Sequence, residues 1–149
     1  MATFEINVNG LGQLQERLTA AAGRIDVQTK DAMHAAASLV EIAVKNKLRE
    51  SSHPRRTVTP SAPGSPPSLI SGNLMRSIAV KGPTGAAGAY RAEIGPTAIY
   101  GRIQELGGDT GRNGATHLPP RPYMQPALDK VVADGTLAAC YATAWRTAF

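Results

Sequence analysis

The hydropathy pattern of this chain predicts an α+β fold. A small antiparallel sheet is packed by a long helix in the N-terminal half and by a C-terminal helix, with long extended loops between them. Three observations carry that expectation. Met33, Ala37, Val40, Val44 and Leu48 recur every three or four residues, the spacing of one buried helix face. Ser77–Lys81 and Ala89–Gly95 are short segments separated by Gly82-Pro83-Thr84-Gly85-Ala86-Ala87-Gly88, the layout of a hairpin with a long tip. Met124, Leu128, Val131, Ala138, Tyr141, Trp145 and Phe149 give the C-terminal stretch its apolar side.

Taken in order, Thr3–Val8 alternates apolar and polar residues and predicts a half-buried strand with Phe4, Ile6 and Val8 inward. Leu11, Leu14 and Leu18 predict a short helix to about Ala22, stopped at Gly23. Asp26 is the expected N-cap of the second, longer helix, which ends near Ser51. The composition then changes. Residues 52–68 hold Pro54, Pro60, Pro63, Pro66 and Pro67, which predicts a stiff, extended arm. Ser71 is placed to cap a short helix over Gly72–Arg76. After the hairpin, Ala98–Leu106 predicts a short helix aligning Ile99, Ile103 and Leu106. Residues 107–117 form a second loop, rich in Gly and polar side chains. Asp134-Gly135 interrupts the C-terminal helical stretch, predicting two helices or one bent helix.

The 149 residues suit a single domain, 1–149, with the arm at 52–68 and the loop at 107–117. A chain of this size buries about 68–70% of its unfolded surface. Aromatics are scarce at 5%, so the core is built from Ala, Leu, Ile and Val, each burying little. The lone Cys140 excludes an intrachain disulfide and fits synthesis in a reducing cytoplasm. Residues Met1 to Gly10 lack the apolar run of a signal peptide. No segment approaches the roughly 18 apolar residues needed to span a membrane.

The chemistry expected of an enzyme is missing from the pattern: the sequence nominates no catalytic residue, no cofactor and no metal ligand. His34, His53 and His117 are scattered, without a partner at metal-ligand spacing. Ser71-Gly72 has no Gly-x-Ser-x-Gly context, and the glycines of 107–114 do not open a helix after a strand. Glu105 stands in a short apolar helix without a second carboxylate or histidine beside it. It is expected to pair with Arg121 or Arg76, or to cap a neighbouring segment. The net charge of +5 favours nucleic acid or an acidic surface. Its densest cluster is Lys45, Lys47, Arg49, Arg55 and Arg56. A solvated helix end is the plainer reading of it; no aromatic interleaves the cluster, so contact with DNA there would be to phosphates and non-specific.

Three blocks in order resemble the tail-component family of long-tailed double-stranded DNA phages, the neck and tail-completion group of lambdoid-type phages. Pro67, Ser71, Gly72, Leu74, Ser77 and Ile78 are similar to its Pro-x-x-Thr/Ser-Gly-x-Leu-x-x-Ser-Ile block, with one extra residue after the proline. Gly95, Tyr100, Glu105 and Gly107 match its Gly…Tyr-Ala-x-x-x-Glu-Phe-Gly block, with Gly101 for Ala and Leu106 for Phe. Pro119, Arg121, Pro122, Tyr123, Pro126, Ala127 and Leu128 match its closing Pro-x-Arg-Pro-Phe-x-x-Pro-Ala-Leu block, with Tyr123 for Phe. Gly10-Leu11-Gly12-Gln13-Leu14 fits the helix start expected upstream.

The resemblance implies a virion structural protein without enzymatic activity at the head–tail junction, made in the bacterial host cytoplasm. It implies a homo-oligomeric ring, a hexamer, around the DNA channel. The partners would be the tail-tube protein, head-side connector proteins and the passing DNA, with no membrane. The arm and the 107–117 loop are the expected reach to a neighbour, mobile before assembly. Two rivals stand beside this reading. One is a small basic DNA-binding accessory protein. The other is a hydrolase with Glu105 and His117 as a composite site.

Overall fold

The computed structural model describes residues 10–54 and 56–147. The expected strand at Thr3–Val8, together with Arg55 and Phe149, lies outside the described residues. The described elements form an α+β fold. They run α1 Leu11–Arg49, α2 Asn73–Arg76, β1 Ile78–Ala86, β2 Ala89–Pro96, α3 Gly101–Leu106, β3 Gly108–Thr110, β4 Thr116–Leu118, α4 Met124–Ala133 and α5 Thr136–Arg146. A 3₁₀ turn at Arg112–Gly114 links β3 and β4.

The two expected N-terminal helices are one helix of 39 residues, about 58 Å long. Gly23 does not stop it. A helix-stopping glycine sits in the left-handed region, and Gly23 is not among the residues with positive φ. A helical glycine costs only about 1 kcal/mol against alanine, which the Ala- and Leu-rich flanks outweigh. Asp26 caps nothing. Its Oδ1 accepts the Gly88 N–H at 2.7 Å and its Oδ2 accepts the Tyr90 hydroxyl at 2.8 Å, tying the hairpin tip to the helix.

That hairpin has no long tip. β1 and β2 pair antiparallel from Ile78↔Pro96 to Ala86↔Ala89. The turn is the pair Ala87-Gly88, both with positive φ, the geometry whose twist matches paired strands. Gly82 and Pro83 stand opposite the single Ala92, between the Lys81↔Glu93 and Thr84↔Arg91 pairs. They form a bulge, the position where a sheet tolerates proline. β3 and β4 make a second two-stranded sheet from Gly108↔Leu118 to Thr110↔Thr116, so the expected 107–117 loop is a small hairpin.

α1 lies along β1–β2, α4 and α5. The core joins Val40, Val44 and Leu48 of α1 to Ile78, Tyr123, Ala127 and Val131. Ala37, Val40, Val44 and Leu48 of the expected stripe are buried, and Met33 is half-buried. Met33 Sδ accepts the Tyr141 hydroxyl. The break at Asp134-Gly135 gives two helices, with Gly135 left-handed at φ 69°. α5 docks back on α1 where Trp145 Nε1 donates to Thr29 Oγ1 at 3.1 Å.

Candidate functional site

Two of the three sequence blocks meet in one joint. Glu105, near the end of α3, accepts three backbone N–H groups at the start of α4. Its Oε2 takes Tyr123 at 2.6 Å and Met124 at 2.9 Å, and its Oε1 takes Gln125 at 3.0 Å. The next residue, Pro126, has no N–H. All four donors that a helix leaves open at its N-terminus are therefore filled or missing, and the carboxylate opposes the positive helix end. Of the roles expected for Glu105, this is the capping one. It salt-bridges neither Arg121 nor Arg76.

The rest of the joint fixes that geometry. The Tyr123 hydroxyl donates to Gly101 O at 3.2 Å, and the residue is fully buried. Burial, then the charge of Glu105 and the neighbouring Tyr100, push its phenol well above the ordinary range. Gly101 packs so closely that a Cβ there would lie 2.4 Å from Pro96 Cγ. Gly107 turns the chain at φ 69°, and a Cβ would stand 2.8 Å from Leu118 O. Only glycine meets both demands there. The Arg121 N–H donates to Gln104 O at 2.8 Å, and its Nε donates to Ser61 O at 3.0 Å.

The first block sits beside this joint. Ser77 Oγ donates to Leu74 O, and Ser77 O accepts the Thr97 N–H and hydroxyl, so α2 is tied to the end of β2. Leu74 packs against the core. Gly72, in the left-handed region, precedes α2. Ser71 makes no side-chain cap on the helix, although its hydroxyl accepts the Asn73 N–H at 3.4 Å. Gly95 pairs with Ala79 in an ordinary strand, with open space where a Cβ would go. Tyr100 is partly exposed, and Pro67 is buried.

The 52–68 segment is pinned at both ends and in the middle. Leu69 N–H donates to Ser51 O, and His53 N–H donates to Leu69 O. Gly64 N–H donates to Pro120 O, and Ser61, Pro66 and Pro67 are buried. These bonds make it a loop closed on the body. Proline count alone shows stiffness but not attachment.

Of the basic cluster, Lys45 pairs with Glu41 and Lys47 with Glu50. Arg49 donates to Asn46 Oδ1. Arg56 is exposed. His117 Nδ1 lies 2.7 Å from Asp109 Oδ1 across β3–β4. Among the described residues no group of three His, Cys, Asp or Glu is placed to hold a metal. No described helix is long and apolar enough to cross a membrane.

Two uncovered apolar features lie elsewhere. Residues 11–20 of α1 are all exposed, and Leu11, Leu14 and Leu18 continue the face that Thr29, Ala32 and Ala36 bury lower down. Their periodicity was legible, but their exposure was not, because a stripe does not state what covers it. Ile99, expected inside α3, precedes it and is 99% exposed, and Leu106 is exposed too.

The model of a family described as "Bacteriophage HK97-gp10, putative tail-component" matches residues 12–107. The chain belongs to this bacteriophage tail-component family. The matched span reaches from the exposed start of α1 to Gly107, the turn that ends α3. No curated protein and no solved structure matches the chain. Membership makes it a phage tail structural component, with the virion as its place.

Proposed function

We propose that this tail component is a virion joint at the head–tail junction: a tail-completion, terminator or neck protein. It closes as a homo-oligomeric ring, six-fold, around the DNA channel. Tail-tube protein meets one side of that ring and head-side connector proteins meet the other. The observation that carries the reading is a pair of unlike exposed apolar surfaces, one beyond each end of the β1–β2 hairpin. One is the Leu11–Leu14–Leu18 stripe, beyond the hairpin tip that Asp26 holds. The other is Ile99 and Leu106, by the far end of the hairpin where Ile78 pairs Pro96. Two different surfaces on one chain are what a heterologous, ring-closing contact requires.

The DNA-binding alternative draws less from the geometry, because Lys45 and Lys47 already face glutamates. The hydrolase alternative loses its base, because Glu105 is occupied by three amides. Native mass measurement of the purified protein, alone and with tail-tube protein, tests the ring. One closed oligomer is expected, and Leu14→Glu with Leu18→Glu should leave a folded monomer. A wild-type monomer under every condition, tail tube included, overturns the reading.

A further inference from the structure

Beside the joint, the 57–74 loop and α3 enclose an open cleft of about 460 Å³. Its walls carry an unusual set of polar groups. Arg121 is 7% exposed, yet no carboxylate among the described residues lies within salt-bridge distance of it. Its Nε holds Ser61 O. No Asp or Glu lines the cleft. Ser61 Oγ and Ser68 Oγ are buried there without a hydrogen-bond partner among the described residues. At the rim, Arg76 Nη1 lies over Gly72. Buried cations are ordinarily paired and buried hydroxyls ordinarily bonded. The guanidinium lines the cleft without an anionic partner, and the two hydroxyls, closed from solvent, lack an acceptor.

We propose that this cleft binds a carboxylate, presented by an acidic side chain or chain end of a partner polypeptide. The guanidinium fork matches a carboxylate in shape and charge, and a turn about the Cα–Cβ bonds of Ser61 and Ser68 brings their hydroxyls to it as further donors. Val58, Leu69, Leu74 and Leu118 share the rest of the lining with uncharged polar groups such as Asn73 and Gln104, which suits a monoanion with an apolar stem. A phosphate dianion would bring a second negative charge against that wall. Duplex phosphates are reached by projecting side chains, and Arg121 is sunk below the surface.

The test is an NMR titration of the full-length protein with all its nitrogens isotopically labelled, at constant ionic strength. Propionate is the probe, with methyl phosphate and chloride as comparison arms. The expected result is a saturating shift of the Arg121 side-chain signals, together with the Ser61 and Ser68 amides, for propionate alone. Ser68→Ala should weaken propionate binding about threefold or more, the loss of one hydrogen bond. Arg121→Met should abolish it, and should that variant not fold, the wild-type titration decides. Arg121 signals that ignore propionate, or that chloride or methyl phosphate moves equally, overturn the proposal. So does an undiminished affinity in Ser68→Ala. The inference does not rest on the ring, since a chain that stays monomeric still reports the titration.

Discussion

The α3–α4 joint and the first turns of α1 are opposite solutions to the same problem of ending a helix. At the joint every open donor is accounted for: Glu105 accepts three N–H groups and Pro126 removes the fourth. Gly101 admits the Pro96 ring, and Gly107 admits the Leu118 and Pro120 backbone, at contact distance. At the start of α1, Gly10 precedes the helix without a side-chain cap. About 20 Å of helix, residues 11–24, then runs out with three exposed leucines. One region is finished within the chain. The other is left exposed among the described residues, and exposed apolar stripes of this kind mark contact sites.

The contrast can be broken from its rigid side first. Gly107→Ala puts a Cβ against Leu118 O and Pro120 N at positive φ, and is expected to cost roughly 3 kcal/mol or more. Urea unfolding measures it, and a wild-type midpoint would show that the joint is slack. Glu105→Ala is next, at about 2 kcal/mol for the lost cap and its orphaned amides. Glu105→Gln keeps acceptor oxygen and should recover part of that loss. If Gln and Ala were equally damaging, capping would not be the role of this side chain.

Tyr123→Phe is smaller, about 1 kcal/mol for the hydroxyl bond to Gly101 O. It also carries a pH signature. The buried phenol ionises above its ordinary range, burial being the main cause, whereas the unfolded chain loses that proton near pH 10. The stabilising difference is thus fully present below about pH 10 and falls as pH rises further, by up to about 1.4 kcal/mol per pH unit. A phenylalanine ring has no proton to lose, so the substituted protein should lack this component of alkaline destabilisation. Identical alkaline profiles would place the phenol in a wetter setting. The smallest effect belongs to the overhang. Leu14→Glu and Leu18→Glu should each move monomer stability by no more than about 0.5 kcal/mol, while the assembly state changes. A large loss of monomer stability would mean that the stripe is already covered within one chain.

Particular residues show what was legible. The α1 stripe from Ala37 to Leu48, the hairpin strands and the break at Asp134-Gly135 follow from periodicity and turn chemistry, which are local. Gly23 and Asp26 misled, because a glycine and a cap-type residue look alike in sequence whether used or not. Asp26 is spent on Tyr90 and Gly88, more than sixty residues away. A Gly-Pro bulge has the same composition as a turn, so the sequence predicts a longer hairpin tip than the fold has. The structural role of Glu105 was in view, but its three amides belong to another block.

The sequence by itself determined the buried stripe of α1, the strands of the first hairpin, the break at Asp134-Gly135, the Gly and Pro edges of the blocks and the family to which they belong, since these depend on neighbours a few residues apart. Only the tertiary structure decided that α1 is unbroken and that Glu105 closes α4. It alone left Arg121 buried without a carboxylate among the described residues, and the Leu11–Leu18 face bare. Each of these turns on which distant groups meet, and chain spacing does not encode a meeting between residues far apart.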